Sequence, residues 1–305
     1  MTEVQIRDAR GTWPQLAVLL GAVCAMLAGA ELATRYVVMP SSRIERRVDT
    51  ELAAAPGVGG PRSFLLVGNS LLLYAVRDSA IASLAPQGWR ARRLAVEQTS
   101  YLDWKYGLTE LHRRGAQPAV LGVMLDPWQL TSTLTRTDYS ALRLVGASDV
   151  IAFGRDASLH PTDISRLILS HYSAAYGFRA ESRKVLLGRM LPGMERLSQL
   201  LIPRSSNVPD TLRTRAVAAR RLRALRDAVV AQQSRFIFFL PPRLGDVSEL
   251  RAVLAAARDA GVEVIGPALS TPYAAADFMD GYHLSDVGAA RYAAEVARAL
   301  SETLR

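Results

Sequence analysis

The 305-residue sequence contains one cysteine, Cys24, and two lysines, Lys105 and Lys184. A single cysteine excludes an internal disulfide and a cysteine-built zinc site. Gly21-Ala22-Val23 before it make a poor lipobox, so Cys24 reads as a small apolar residue in an apolar run. The near absence of lysine means that the net charge of +9 is carried almost wholly by arginine. A pI near 10.1 raises the question of nucleic acid. An arginine- and alanine-rich skew is also what coding bias produces. No zinc finger, basic-flanked recognition helix or glycine-rich aromatic strand motif accompanies the charge, so no nucleic-acid partner is expected. Glycine-rich phosphate loops, dinucleotide fingerprints and clusters of metal-ligating residues are lacking too, so neither cofactor nor metal is expected. With half its residues hydrophobic, the chain is neither disordered nor collagen-like. Its length is enough for a real core.

The first positive signal lies near the start. Gly11 to Ala30 carries no charge and is rich in Leu, Val, Ala and Gly, about the twenty residues that cross a bilayer's hydrocarbon core. Trp13 and Tyr36 suit the two interfaces. A cleavable signal peptide competes, because Ala28-Gly29-Ala30 is a small-x-small cleavage pattern. Against it, Glu3 and Asp8 offset Arg7 and Arg10 beforehand, and apolar character resumes at Leu32 and Tyr36–Met39. Residues 1–39 are therefore taken as a tail and an uncleaved anchor. Arg43, Arg46 and Arg47 follow the span; their count mildly favours a cytoplasmic body, although large domains cross largely regardless of such charges. Residues 40–61, charged and then rich in Ala, Gly and Pro, read as a tethering linker, with a short helix around Arg43–Ala55.

Beyond the linker, short apolar runs alternate with helical patterns. Strands are expected at Ser63–Val67, Arg92–Val96, Ala119–Leu125, Arg235–Leu240 and Val262–Ile265. Helices are expected over Ser70–Leu84, Leu102–Arg114, Val247–Ala260 and Ser285–Leu304. This alternation predicts an α/β fold, a parallel sheet with helices on both faces, whose functional residues gather at the carboxyl ends of the strands. Residues 62–305 form this domain, interrupted by a helical insertion at about 129–233. Within the insertion, Arg213, Arg215, Arg220, Arg221, Arg223 and Arg226 crowd one helix. They read as a solvated face or, more sharply, as a contact for anionic headgroups or an acidic polymer.

Two motifs carry chemistry. Gly68-Asn69-Ser70 ends the first strand and opens a helix. A serine hydroxyl there stands at the sheet's active edge, near a helix N-terminus that favours negative charge. Asp280-Gly281-Tyr282-His283 precedes the last helix. A carboxylate three residues before a histidine can hold one ring nitrogen, leaving the other to take a proton from a serine. Each motif alone fits an ordinary turn with a cap, or a chance loop. Together, one after the first strand and one before the last helix, they can meet at one sheet edge as a triad.

At these residues the chain resembles the SGNH (GDSL) hydrolases. Gly68-Asn69-Ser70-Leu71 is similar to their Gly-Asp-Ser-Leu nucleophile block, and Asp280-x-x-His283-Leu284 to their final Asp-x-x-His block. The resemblance implies a flavodoxin-like three-layer sandwich with Ser70 as nucleophile, His283 as base and Asp280 orienting it. Its matching stretches are Arg62–Trp128 and Ser234–Leu304. It also implies an oxyanion hole from a glycine and an asparagine. The chain has neither where they belong: Glu97-Gln98-Thr99-Ser100 follows the second strand and Leu125-Asp126-Pro127-Trp128-Gln129 the third. Asn69, Gln98, Asp126 and Arg243 are thus the candidates for oxyanion or substrate contact, Arg243 because it follows the fourth strand. The anchor together with these motifs resembles the membrane-tethered branch that decorates envelope polymers. That branch implies an esterase or O-acyltransferase on a cell-surface polysaccharide or acylated glycan, beside a membrane acyltransferase partner. It also implies a single-pass protein of a bacterial-type cytoplasmic membrane with its body outside the cytoplasm. The alternative is a non-catalytic scaffold of the same fold in a polysaccharide synthesis or export complex. His160, His171 and His112 read as structural.

Overall fold

The computed structural model describes residues 13–190, 210–269 and 272–304. Helix α1 (Trp13–Ala33) buries none of its residues, and all but the half-buried Glu31 are exposed. It continues through a wider π-helical turn (Thr34–Val38) to Ser41, giving 29 residues long and apolar enough to cross a membrane. Ser42, in extended conformation, breaks the helix, and its hydroxyl accepts from the Glu45 N–H to start α2 (Arg43–Ala54).

The chain then alternates as β1 (Gly59–Gly68), α3 (Ser70–Ala75), α4 (Asp78–Leu84), β2 (Arg90–Ala95), α5 (Tyr101–Arg113) and β3 (Gln117–Met124). Helices α6 (Pro127–Thr131), α7 (Thr137–Arg143), α8 (Val150–Asp156), α9 (Pro161–Tyr172), α10 (Ala174–Gly177) and α11 (Arg179–Met190) follow. The remainder is α12 (Thr211–Ala231), β4 (Arg235–Phe239), α13 (Ser248–Ala260), β5 (Glu263–Ile265) and α14 (Asp286–Thr303). Among the described residues the five strands form one parallel sheet in the order β2-β1-β3-β4-β5, the flavodoxin-like doubly wound order. All five expected strands are present, and the sheet carries helices on both faces.

Strand alternation sorts the core into two layers. Leu65, Val67, Leu94, Leu121, Val123 and Phe238 face α2, α5, α12 and α13. Phe64, Leu66, Val120, Met124, Ile237 and Phe239 face α3, α4 and α14. The carboxyl ends are level: Gly68 pairs with Ala95 and Met124, Met124 with Phe239, and Phe239 with Ile265. A side chain at Gly68 would bring its Cβ to 2.7 Å from the Met124 carbonyl, so only glycine lets β1 end flush against β3.

Three expectations are corrected. The helix expected over Ser70–Leu84 is two helices, parted where the extended Val76 is buried and its carbonyl accepts from Arg93. Residues 40–61 are not a free tether, because α2 covers the sheet edge. Glu51 accepts from the Ala95 N–H (2.6 Å) and pairs with the buried Arg93 (2.6 Å). Arg47 donates to the Ala95 carbonyl (2.6 Å), so α2 takes both outward backbone groups of an edge residue. Val48 is fully buried, and the Tyr139 hydroxyl donates to the buried Glu45 (2.9 Å). Finally, the arginines of α12 are not one solvated face. Arg221 is buried, donating to the Leu130 and Ser132 carbonyls beneath the Tyr101 ring. Arg215 pairs with Asp259, and Arg223 and Arg226 donate to carbonyls at the end of α13. The helix is tied to its neighbours and belongs to the layer beside β4, so the insertion proper comprises α6–α11. Residues 191–209 lie outside the described residues.

Candidate active site

Ser70 is the first residue of α3, at the carboxyl end of the inner strand β1. Asn69 caps that helix: its Oδ1 accepts from the Leu71 N–H (3.0 Å) and its Nδ2 donates to the Thr99 carbonyl (2.9 Å). It is fully buried. Both ends of its amide are engaged in holding the turn, so Asn69 positions the serine rather than contacting substrate, a correction to the sequence reading.

The second half of the site is a loop pinched by the antiparallel bridge between Phe278 and Leu284. The Met279 N–H donates to the His283 carbonyl (2.9 Å) and the Ser285 N–H to the Asp277 carbonyl (2.8 Å). Inside it, Gly281 takes a φ of +80°, which glycine adopts without strain. Asp280 Oδ1 accepts from the N–H groups of Tyr282 (2.9 Å) and His283 (2.6 Å), the local side-chain turn that aspartate favours. Its other oxygen, Oδ2, lies 2.7 Å from His283 Nδ1. Gly288 lets α14 pack against the loop, since a Cβ there would collide with the Asp277 carbonyl.

His283 Nε2 lies 3.0 Å from Ser70 Oγ. Residues 213 positions apart thus join in one chain of hydrogen bonds, Ser70–His283–Asp280. Partial burial raises the Asp280 carboxyl, but the N–H and imidazole of His283 and the Tyr282 N–H outweigh it and hold the group below the usual carboxylate range. An ionised carboxylate on Nδ1 leaves Nε2 facing the hydroxyl as an acceptor. The Tyr74 ring packs on the imidazole at 4.6 Å. Tyr74 follows Ser70 by one helical turn, a spacing the sequence displayed.

The other candidates lie apart from this chain. Asp126 caps α6 through the Trp128 N–H (2.8 Å). Burial raises its carboxyl, with the Trp128 N–H and Arg243 opposing. It serves as a cap rather than an oxyanion contact, a second correction. Gln129, which the sequence reading passed over, donates from Nε2 to the Tyr282 hydroxyl (3.0 Å) and so links α6 to the histidine loop. Gln98 is exposed with a φ of +61°. Arg243 is half-exposed and paired with Glu249 (2.5 Å). Among the described residues no group of His, Cys, Asp and Glu could hold a metal. A depression of about 460 Å³ lined by Gly60, His112, Gln117 and Gln233 lies at the opposite, amino edge of the sheet, away from this chemistry.

No protein-family model matches the sequence, and no curated protein matches it. A solved structure described as "Crystal Structure of TesA" is similar over 78% of this chain and 98% of that one, with 12% identity and a TM-score of 0.38. A likeness that slight carries no functional argument, and the chemistry is argued from the site itself.

Proposed function

We propose that the chain is a membrane-anchored serine ester hydrolase or O-acyltransferase of SGNH type acting on acyl groups of a cell-surface polysaccharide. The observation that carries this reading is the hydrogen-bonded series Ser70–His283–Asp280 at the carboxyl edge. Ser70 Oγ attacks the acyl carbonyl while its proton passes to His283 Nε2. Asp280 steadies the imidazolium, and the tetrahedral intermediate expels the sugar oxygen, which takes that proton back. Water or a second sugar hydroxyl then attacks the acyl-serine by the same steps, giving hydrolysis or transfer. The Ser70 N–H, in the first turn of α3, and the backbone of the left-handed turn at Gln98 serve the oxyanion. Exposed Trp128 and Tyr282, joined to the site through α6 and Gln129, offer aromatic faces to a sugar.

Three observations support the anchor. The apolar helix is exposed from Trp13 to Ala30, it runs unbroken past Ala30, and its end is built into the body, with Thr34 and Met39 buried. Arg46 and Arg47 donate to the Pro40 and Ala95 carbonyls, so packing accounts for their place after the span; the extracytoplasmic side proposed for the body rests on the resemblance to envelope-decorating proteins. In the transferase case, a membrane acyltransferase would supply the acyl donor, whose leaving group takes the place of that first sugar oxygen.

The test is labelling of the full-length protein with a serine-directed fluorophosphonate, beside Ser70→Ala and His283→Ala. Labelling that vanishes in both folded variants is expected. A folded wild type that stays unlabelled, or label retained in Ser70→Ala, would overturn the catalytic reading in favour of a scaffold.

A further inference from the structure

The end of the apolar helix does not leave the body on a stalk. Glu31, in its last turn but one, is held by the insertion: Ser173 Oγ donates at 2.9 Å, and the Ala174 and Ala175 N–H groups at the start of α10 donate at 2.9 and 3.0 Å. Arg35, one turn on, bonds Glu31 (2.5 Å) and the Tyr172 carbonyl (3.4 Å). At 1.5 Å per residue, a helix entering the hydrocarbon at Trp13 leaves it about 30 Å later, near Ala33. The clasp therefore grips the helix at the level of the bilayer surface, and the segments that form it stand at that same level.

Those segments carry large apolar side chains that the other described residues do not cover. Leu169 and Tyr172 are exposed at the end of α9, Tyr172 by 67%. Leu186 and Met190 are exposed along α11, which packs beside the π-helical turn where Tyr36 is also exposed. Arg183 and Lys184 stand immediately before that apolar stretch of α11. Apolar and aromatic residues next to basic ones, on a surface continuous with a membrane-crossing helix, match an interfacial seat.

We propose that the end of α9 and the apolar stretch of α11 seat the body directly on the bilayer, Leu169, Tyr172, Leu186 and Met190 entering the boundary between headgroups and acyl chains beside Tyr36. This seat rests on the anchor reading above and goes beyond it: the protein touches lipid at two places, and the insertion is a membrane-contact module. The occupant is the lipid surface.

The experiment uses full-length protein in nanodiscs of phosphatidylethanolamine and phosphatidylglycerol. Nitroxide is placed on the native Cys24, near mid-span, or on Tyr172→Cys, Leu186→Cys or Val230→Cys in a Cys24→Ser background. All four positions are exposed. Relaxation by oxygen and by a water-soluble nickel chelate reads depth. The expected result is lipid-like relaxation at 24, 172 and 186 and aqueous relaxation at 230. Aqueous relaxation at 172 and 186 with 24 in lipid would overturn the seat and leave the anchor standing. Aqueous relaxation at 24 would remove the anchor and the seat together. Labels at 172 and 186 that neither reagent reaches would show a second protein copy on this surface and also overturn the proposal.

Discussion

The histidine loop and the junction between α2 and the body are both built on carboxylates, yet they are organised in opposite ways. In the loop, Asp280 meets partners two and three residues away, and the side chains stay accessible. At the junction, Glu51 reaches Arg93 across 42 positions and Glu45 reaches Tyr139 across 94, and most of the groups are buried. A local constellation with exposed ends is poised to act on something else. A long-range buried one is spent on holding two segments together.

Four measurements can break or sharpen that contrast. Asp280→Asn is expected to lower the fluorophosphonate labelling rate by roughly 10³–10⁴-fold by disturbing the imidazole's tautomer and its support. The melting temperature should barely move; a large drop would make the loop a structural device like the junction. Arg93→Leu should do the reverse. It removes the nearer of Glu51's two ion partners and leaves Arg47 at 3.4 Å, at a cost toward the lower end of the about 3–5 kcal/mol of a broken buried pair, while labelling well below the melting temperature stays at the wild-type rate. A loss of labelling in that folded variant would show that the two regions are coupled.

The third measurement is pH dependence. Burial pushes the Asp103 carboxyl up to about 6, against the N–H groups of Ser100 and Arg136, from an ordinary 3.8. As pH rises from about 4 to 6 the unfolded chain sheds this proton first. Asp103 therefore takes stability away across that window and no more above it. The advantage of wild type over Asp103→Asn in melting temperature should shrink as pH rises from 4 to 6 and then level. A constant difference would contradict the raised value. The smallest effect is expected from Gln98→Gly, which relieves a left-handed non-glycine residue by about 1 kcal/mol and keeps labelling intact, because the turn and not the amide side chain is used. Loss of labelling would give the side chain the role instead.

The same contrast explains what the sequence displayed. The strand positions other than β2 were legible because each holds a short apolar run bounded by charge, glycine or proline; β2, with Arg90, Arg92 and Arg93 among its six residues, gave the weaker signal. The Asp280–His283 spacing was legible because the loop that joins them is local. Residues 43–54 misled because Arg, Glu and Thr in an amphipathic helix look solvated until the edge of β2 is in place to receive them. Arg221, Arg223 and Arg226 of α12 misled in the same way: they donate to backbone carbonyls at the ends of α6 and α13, which no residue pattern announces. Gln98 shows a subtler limit. The resemblance called for glycine in that loop, and the chain has Gln98 there in a left-handed backbone conformation.

The loop Val96–Ser100 is held from two sides. Arg47, six residues beyond the apolar helix, pairs with Glu97 (3.3 Å), and Asn69, beside the serine, bonds the Thr99 carbonyl. Glu97 and Thr99 are two residues apart, so the foot of the apolar helix and the turn of Ser70 are separated by a span with almost no slack. A site fixed in that way stands at a constant distance from the helix, like a tool on a bench rather than one on a leash. Under the proposed acyl transfer, a polymer emerging nearby would travel past it, and the spacing of the marks along the polymer would be set by the pace of that passage and the rate of acyl reloading, and not by a search through the surrounding volume.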